Sequence, residues 1–235
     1  CYVRLTRMTD VLTVNRKTIR LDKAIASRTM KLGMPAGLTQ AIFSMQAVVV
    51  QSLMNSLGPM VVTTFTAVMR VDGFAMMPNF TFGIAATTFT GQNLGAKQLE
   101  RVHRGAKDAL ILALICATTL TACMLLYGRQ LMGVFTETEA IVALGARMMR
   151  ILAVGYIAFG VTQTLSGVMR GMNETVIPMW VSIIATVFIR LPLAYLFAAV
   201  TRSAAWPNGE PSCIYWSQLI AWVSASLITV AFYRW

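Results

Sequence analysis

The sequence predicts an all-α fold, a polytopic membrane bundle of six transmembrane helices, on three observations. Of its 235 residues, 57% are hydrophobic and 12% charged, where soluble domains carry roughly half and about a quarter. Uncharged runs recur that are long enough to cross a hydrocarbon layer about 30 Å thick, which takes about 20 helical residues. The 20 Lys and Arg, set against 9 Asp and Glu, fall in the gaps between those runs, where membrane proteins put positive charge. They do not gather into one basic face, so the chain is not read as a nucleic-acid binder. A composition this apolar also excludes disorder.

Residues 1–31 read as a basic cytoplasmic linker. Arg16, Lys17, Arg20, Lys23, Arg28 and Lys31 sit among scattered Val, Leu and Ile, a pattern suited to lying on anionic lipid. No apolar core of signal-peptide length occurs there, and a start at Cys1 rather than Met is expected of a fragment. The six-span lobe then fills residues 32–235. Leu32 to Met69 is uncharged and too long for one crossing; Gly58-Pro59, after Asn55 and Ser56, divides it. Spans one and two are therefore expected at about 35–57 and 59–93, the second with proline at its first turn. Further uncharged runs give spans at about 109–128, 147–169, 175–200 and 211–233, with Ile151 to Met169 the uncharged part of the fourth.

An even number of crossings puts both ends of the chain on one side, and basic residues choose the side. Residues 1–31 with Lys97, Arg101, Arg104, Lys107, Arg170 and Arg234 outweigh Arg129, Arg147, Arg150 and Arg202 on the other side, so both ends are expected to be cytoplasmic in a plasma membrane. Trp206, Tyr215 and Trp216 at one boundary, and Tyr233 and Trp235 at the other, suit aromatic belts. Between spans three and four, Arg129 to Glu139 carries Leu131, Met132, Val134 and Phe135 and is expected to be a short interfacial segment. Gln98 to Asp108 is expected to be a polar connection.

Polar groups inside hydrocarbon need partners, so a polar face marks either a helix contact or a watery passage. Gln40, Ser44, Gln51 and Asn55 share one sector of span one. On span four Tyr156, Gly160, Gln163, Gly167 and Arg170 recur at helical spacing, small residues alternating with polar ones. Both faces are substrate-pathway candidates or packing seams. Arg70 and Asp72 on span two and Arg190 on span five are the intramembrane charges. Asp72 and Arg190 are expected to pair across the bundle, because an unpaired charge at such depth costs several kcal/mol; alternatively span two overshoots and leaves Arg70 near the outer interface. Pro78 and Pro192 each remove a backbone N–H and free the carbonyl four residues earlier, at Phe74 and Phe188, which makes them hinge candidates. The 16 Met could give a soft wall for varied apolar solutes.

No catalytic constellation is found. His103, the one histidine, stands in a charged connection, and Cys1, Cys116, Cys123 and Cys213 form no CxxC pair, so neither an enzyme, a resident metal nor a cofactor is indicated. Gly91-Gln-Asn-Leu-Gly95 lacks the Lys and Ser/Thr of a nucleotide loop.

Taken together, Gly91-Gln-Asn-Leu-Gly-Ala96, Arg70-Val-Asp72 with Pro78, Gly167-Val-Met-Arg-Gly-Met-Asn-Glu-Thr-Val-Ile-Pro-Met179, Leu131-Met-Gly-Val-Phe-Thr136 and Gly33-Met-Pro-Ala-Gly37 resemble the multidrug and toxic compound extrusion (MATE) family. The resemblance covers nearly the whole chain. It implies the second of two six-helix lobes in a twelve-span antiporter that exports small organic compounds, often cationic or amphiphilic, in exchange for Na⁺ or H⁺, by rocking the lobes about a central cavity. The partner is then the N-terminal six-helix lobe. One branch of the family binds its cation with carboxylates in the first and fourth helices of this lobe. Span one here has Gln40, Gln46 and Gln51 but no acid, and Met148 to Met169 has none. The coupling ion is accordingly expected to bind mainly in the other lobe, Asp72 being the one local candidate. A flippase for lipid-linked sugars, which would show a strongly cationic cavity, and a non-catalytic subunit of a larger transport complex are the alternatives.

Overall fold

The computed structural model describes residues 22–204 and 206–233. Residues 1–21, Arg234 and Trp235 lie outside the described residues, and with them most of the linker expected over 1–31, as does the side chain of Arg28. Six helices follow one another: α1 Lys23–Ser56, α2 Pro59–Gly95, α3 Leu99–Gly133, α4 Glu139–Gly171, α5 Val176–Val200 and α6 Ser212–Tyr233. Each is long and apolar enough to cross a membrane. No strand occurs among the described residues.

Several helices outrun the expected spans, for one reason. An apolar ruler measures the hydrocarbon, whereas the backbone ladder continues into headgroups and water, where charges are solvated. Thus α1 begins at Lys23 rather than near Pro35, capped by Asp22, whose Oδ1 accepts from the N–H groups of Ala24 and Ile25 at 2.8 and 3.2 Å. The expected connection Gln98 to Asp108 is instead the first turns of α3, with an exposed Glu100–Arg104 pair one turn apart. The turn before it contains Lys97 at φ 59°. The interfacial segment expected from Arg129 to Glu139 is likewise corrected: Arg129 to Gly133 complete α3, and only 134–138 connect it to α4. Arg129 then pairs with Glu139 across that short turn. Gly58 adopts φ 103°, which glycine alone accepts at little cost, and Pro59 opens α2 as expected.

Helix α4 is the hub, packed against α2, α3 and α6, while α1 stands at the edge against α2 and α5. Met54, Met148, Met149, Leu152 and Val68 lie at the centre of the core, so four of the methionines with Met132 included are packing residues here rather than a solute wall. Where α2 crosses α4 the backbones nearly touch. A Cβ on Gly167 would lie 2.3 Å from the Gly83 carbonyl oxygen, and one on Gly83 would lie 2.9 Å from that of Gln163. Thr87 Oγ1 sits between them, 2.9 Å from the carbonyl oxygens of both Gly83 and Gly167. Small residues permit this approach and the hydroxyl bridges it, as membrane helix contacts require.

Both proline positions fall inside helices. α2 runs unbroken through Pro78. α5 is wider ahead of Pro192: Ile184–Arg190 forms a π-helical stretch, and Leu191 N–H reaches back to the Thr186 carbonyl. A proline that frees the Phe188 carbonyl one turn on is a physical cause for such widening.

The connections are tied at each end. Asn208 Nδ2 donates to the Ser56 carbonyl at 2.6 Å, joining the α5–α6 loop to the α1–α2 turn. Arg147 pairs with Glu210 at 2.8 Å, their side chains 64% and 31% exposed. At that exposure we expect a double-mutant cycle on Arg147→Ala and Glu210→Ala, read by thermal unfolding in detergent, to give a coupling under about 1 kcal/mol. At the opposite end Ala86, Ala106 and Val168 pack together, level with the charged first turns of α3. Asp72 therefore stands about midway along α2 between Pro59 and the level of Ala86.

Candidate functional site

A cavity of about 280 Å³ opens among α1, α2, α5 and α6, with Leu152 of α4 at its back. Each helix delivers its lining at helical spacing. α1 brings Gln46, Val50 and Gln51, and α2 brings Phe65, Val68, Met69, Asp72 and Met76. α5 brings Arg190 from the last π-helical position, and α6 brings Ile214, Tyr215, Gln218 and Trp222. Exposed Ala47, Gln51 and Met69 form its rim. The walls are mainly apolar and aromatic, with a few polar groups, the usual make-up of a small-molecule site.

At the floor, Tyr156 Oη donates to Asp72 Oδ1. Tyr156 is fully buried on α4 and Asp72 half-buried on α2. Trp222 holds the tyrosine ring, 5.7 Å between centroids, and stacks on Phe159 at 5.0 Å; Phe159 in turn meets Phe80 edge-on at 5.4 Å. Phe65 flanks Tyr215 at 6.2 Å. We expect Tyr156→Phe to lower stability by ~1–3 kcal/mol, the loss associated with removing a hydrogen bond to a charged group, as a reduced melting temperature with the helical circular-dichroism signal retained.

Asp72 and Arg190 share this cavity, but the direct ion pair expected between them does not form. The salt bridges among the described residues are Glu100–Arg104, Arg129–Glu139 and Arg147–Glu210. The hydrogen-bond partner that Asp72 has is instead the hydroxyl of Tyr156. Arg190 Nε and Tyr215 Oη are both buried without a hydrogen-bond partner among the described residues. Arg70 is exposed on α2 and does not line the cavity, since two residues' offset turns it well away from Asp72.

The other candidates separate. Gln40, Ser44, Gln51 and Asn55 are exposed; Gln51 Nε2 donates to Asn55 Oδ1 at 2.9 Å and Ser44 Oγ to the Gln40 carbonyl at 3.1 Å. Only Gln51 of these reaches the cavity. On α4, Tyr156, Gly160, Gln163 and Gly167 all face α2: Gly160 lies against Asn79, and Gln163 and Gly167 against Gly83. Asn79 is buried and donates to its own helix at the Ala75 carbonyl, 3.1 Å away. Sequence reasoning missed Gln46, Tyr215, Gln218 and Trp222 as site residues. Tyr215 was expected in an aromatic belt, yet only 3% of it is exposed, whereas its neighbour Trp216 is 48% exposed. The spacing of Tyr215, Gln218 and Trp222 along one helical face was the available signal.

A family model described as MatE matches residues 35–196 of this chain, more than half of its length. The chain belongs to the MatE family. Probable multidrug resistance protein YoeA of Bacillus subtilis (strain 168) is 24% identical over 187 residues, covering 80% of this chain and 40% of that protein. Multidrug resistance protein MdtK of Proteus mirabilis (strain HI4320) is 26% identical over 210 residues, covering 88% of this chain and 45% of that one. The chain thus spans less than half the length of these curated relatives. A crystal structure of MATE in the straight conformation matches the fold with a TM-score of 0.84 at 18% identity, over 99% of this chain and 52% of the other. The outward-facing conformation of a multidrug resistance MATE family transporter of the MOP superfamily gives 0.84 at 19% identity, over 98% and 51%. The MatE family is one of membrane transporters rather than enzymes, and this chain has the fold of one half of such a molecule.

In this MatE lobe the carboxylates of α1 and α4 stand at helix ends. Asp22 caps α1, and Glu139 opens α4 and pairs with Arg129. Asp72 is the one acid lining the cavity among the described residues, and Arg190 the one base.

Proposed function

We propose that the chain is the C-terminal half of a secondary active efflux antiporter for small organic, cationic or amphiphilic compounds, working with an N-terminal six-helix lobe of the same transporter. The observation that carries the reading is a charge-bearing cavity among the helices of a lobe of MATE fold. Transport follows by alternating access: the two lobes rock, and the cavity is offered first to one side and then to the other. Exchange for Na⁺ or H⁺ drives it, the ion being held mainly in the other lobe, because α1 and α4 of this one carry no acid inside the bilayer. Gln40, Ser44, Gln51 and Asn55 form a polar face of α1 turned away from the core of this lobe, suited to the solute path between lobes, and Tyr156 and Gln163 lie deeper. Pro78 and Pro192 are the hinge positions. The membrane is the plasma membrane, with both ends of the chain cytoplasmic. A flippase is less well supported, because one arginine lines the cavity and Asp72 offsets its charge.

The test is reconstitution of the whole transporter in proteoliposomes with ethidium as probe. An imposed Na⁺ or H⁺ gradient should drive ethidium movement, and collapsing the gradient should stop it. Movement indifferent to both gradients would contradict antiport.

A further inference from the structure

The floor of the cavity is not simply acidic. Asp72 on α2 supplies one negative charge to its lining and Arg190 on α5 one positive charge. A plain organic cation drawn to Asp72 therefore meets the guanidinium as well, and attraction and repulsion largely cancel. The carboxylate is already engaged, since Tyr156 donates to it. What lacks a partner is on the donor side: Arg190 Nε and Tyr215 Oη are both buried and unbonded among the described residues, although buried donors are nearly always satisfied. They come from different helices, α5 and α6, to one cavity, and the widened π-helical turn presents the arginine there. Phe65, Met69, Met76 and Trp222 supply an apolar and aromatic wall beside them.

We infer that the cavity takes compounds bearing an acidic group, a carboxylate, which accepts hydrogen bonds from Arg190 and Tyr215 while an aromatic body lies against Trp222 and Phe65. The preferred solutes are thus amphoteric aromatic acids rather than plain cations. This rests on the transport reading above and narrows it. A guanidinium facing a carboxylate gives charge-assisted bonds, roughly twice as strong as neutral ones, and a site built to hold such a group discriminates against the analogue that lacks it.

A matched pair of dyes tests it: a rhodamine with a free carboxylate, and its methyl ester, whose acid is masked. Binding is read by fluorescence polarisation on the full transporter in nanodiscs, and efflux from loaded vesicles is read separately. The expected result is binding of the free acid at least about tenfold tighter than the ester, a difference one charge-assisted bond can supply. Tyr215→Phe should shrink that ratio several-fold and Arg190→Gln should bring it near one, with Arg190→Lys restoring part of it. Should Arg190→Gln fail to fold, Tyr215→Phe, which removes a single oxygen, still decides. Equal or tighter binding of the ester, no binding of either dye, or a ratio unchanged in Tyr215→Phe overturns the inference. Efflux without any preference for the acid overturns it while leaving transport standing. Acid-preferring binding without efflux of either dye supports it and overturns the transport reading instead.

Discussion

Gly167→Leu is expected to leave little folded lobe to purify, and what remains to melt well below wild type. The added side chain begins 2.3 Å from the Gly83 carbonyl oxygen and 3.0 Å from the Gly83 carbonyl carbon and Cα. Those atoms are backbone of a facing helix and cannot swing aside as a side chain would. To admit leucine, α2 and α4 must separate, and everything that depends on their contact goes with it. Thr87 loses its bridge to Gly167, Asn79 moves off Gly160, and the Tyr156–Asp72 bond at the cavity floor breaks. Gly167→Ala should already lower stability by ~1–3 kcal/mol through overpacking. Gly73→Ala, on the same α2 helix but with nothing within 4 Å of the new methyl, should be neutral or mildly stabilising, since alanine is the better helix former. The measurement is the monodisperse fraction on size exclusion and the melting temperature of the three variants side by side. A Gly167→Leu protein that melts like wild type would show that the helices do not cross where the structure has them.

The second large effect concerns the two charges of the cavity. Asp72→Asn leaves Arg190 as the one charge lining the cavity, and Arg190→Gln leaves Asp72 there with only Tyr156. Breaking a fully buried pair costs ~3–5 kcal/mol. Here both groups line an open cavity and do not touch, so ~1–3 kcal/mol for each single substitution is the expected loss, after allowing for solvent screening. The double variant should be more stable than the sum of the two losses predicts, and no worse than the poorer single. A thermal-unfolding cycle in detergent reads this directly. Strictly additive losses would mean that the two charges do not feel each other. Loss of coupled ion flux in Asp72→Asn, with folding and solute binding intact, would move the coupling site into this lobe.

The number and order of the spans were legible because hydrocarbon thickness imposes a length that sequence displays directly. Gly58-Pro59 divided the first long run for an equally local reason, a φ of 103° that other residues resist. Helix ends were less legible, because nothing in the bilayer ruler stops a helix such as α3 from continuing through Arg101, Arg104 and Lys107 into solvent. The glycines of α4 were recognised as a packing face, and they do face α2. The rotation of α1 and α6 was not recognised. In a membrane the core side and the lipid side of a helix are both apolar, so polarity does not mark which way it faces. Hence the four-residue polar seam of α1 is exposed while Gln46, off that seam, is buried. Tyr215 and Trp216 are adjacent and chemically alike, yet one lines the cavity and the other lies outside it. The Tyr156–Asp72 bond links residues 84 positions apart, a pairing that no local pattern carries.

The most direct measurement is the sidedness of the two ends of the bundle. With native cysteines replaced, single cysteines at Lys97, in the α2–α3 turn, and at Asn208, in the α5–α6 loop, are exposed to a membrane-impermeant maleimide in sealed right-side-out vesicles. Six crossings put the two positions on opposite sides, and with the basic side inside Asn208→Cys is expected to be labelled from outside and Lys97→Cys only after the vesicles are opened. Labelling of both positions from the same side would contradict the threading and the solute pathway built on it.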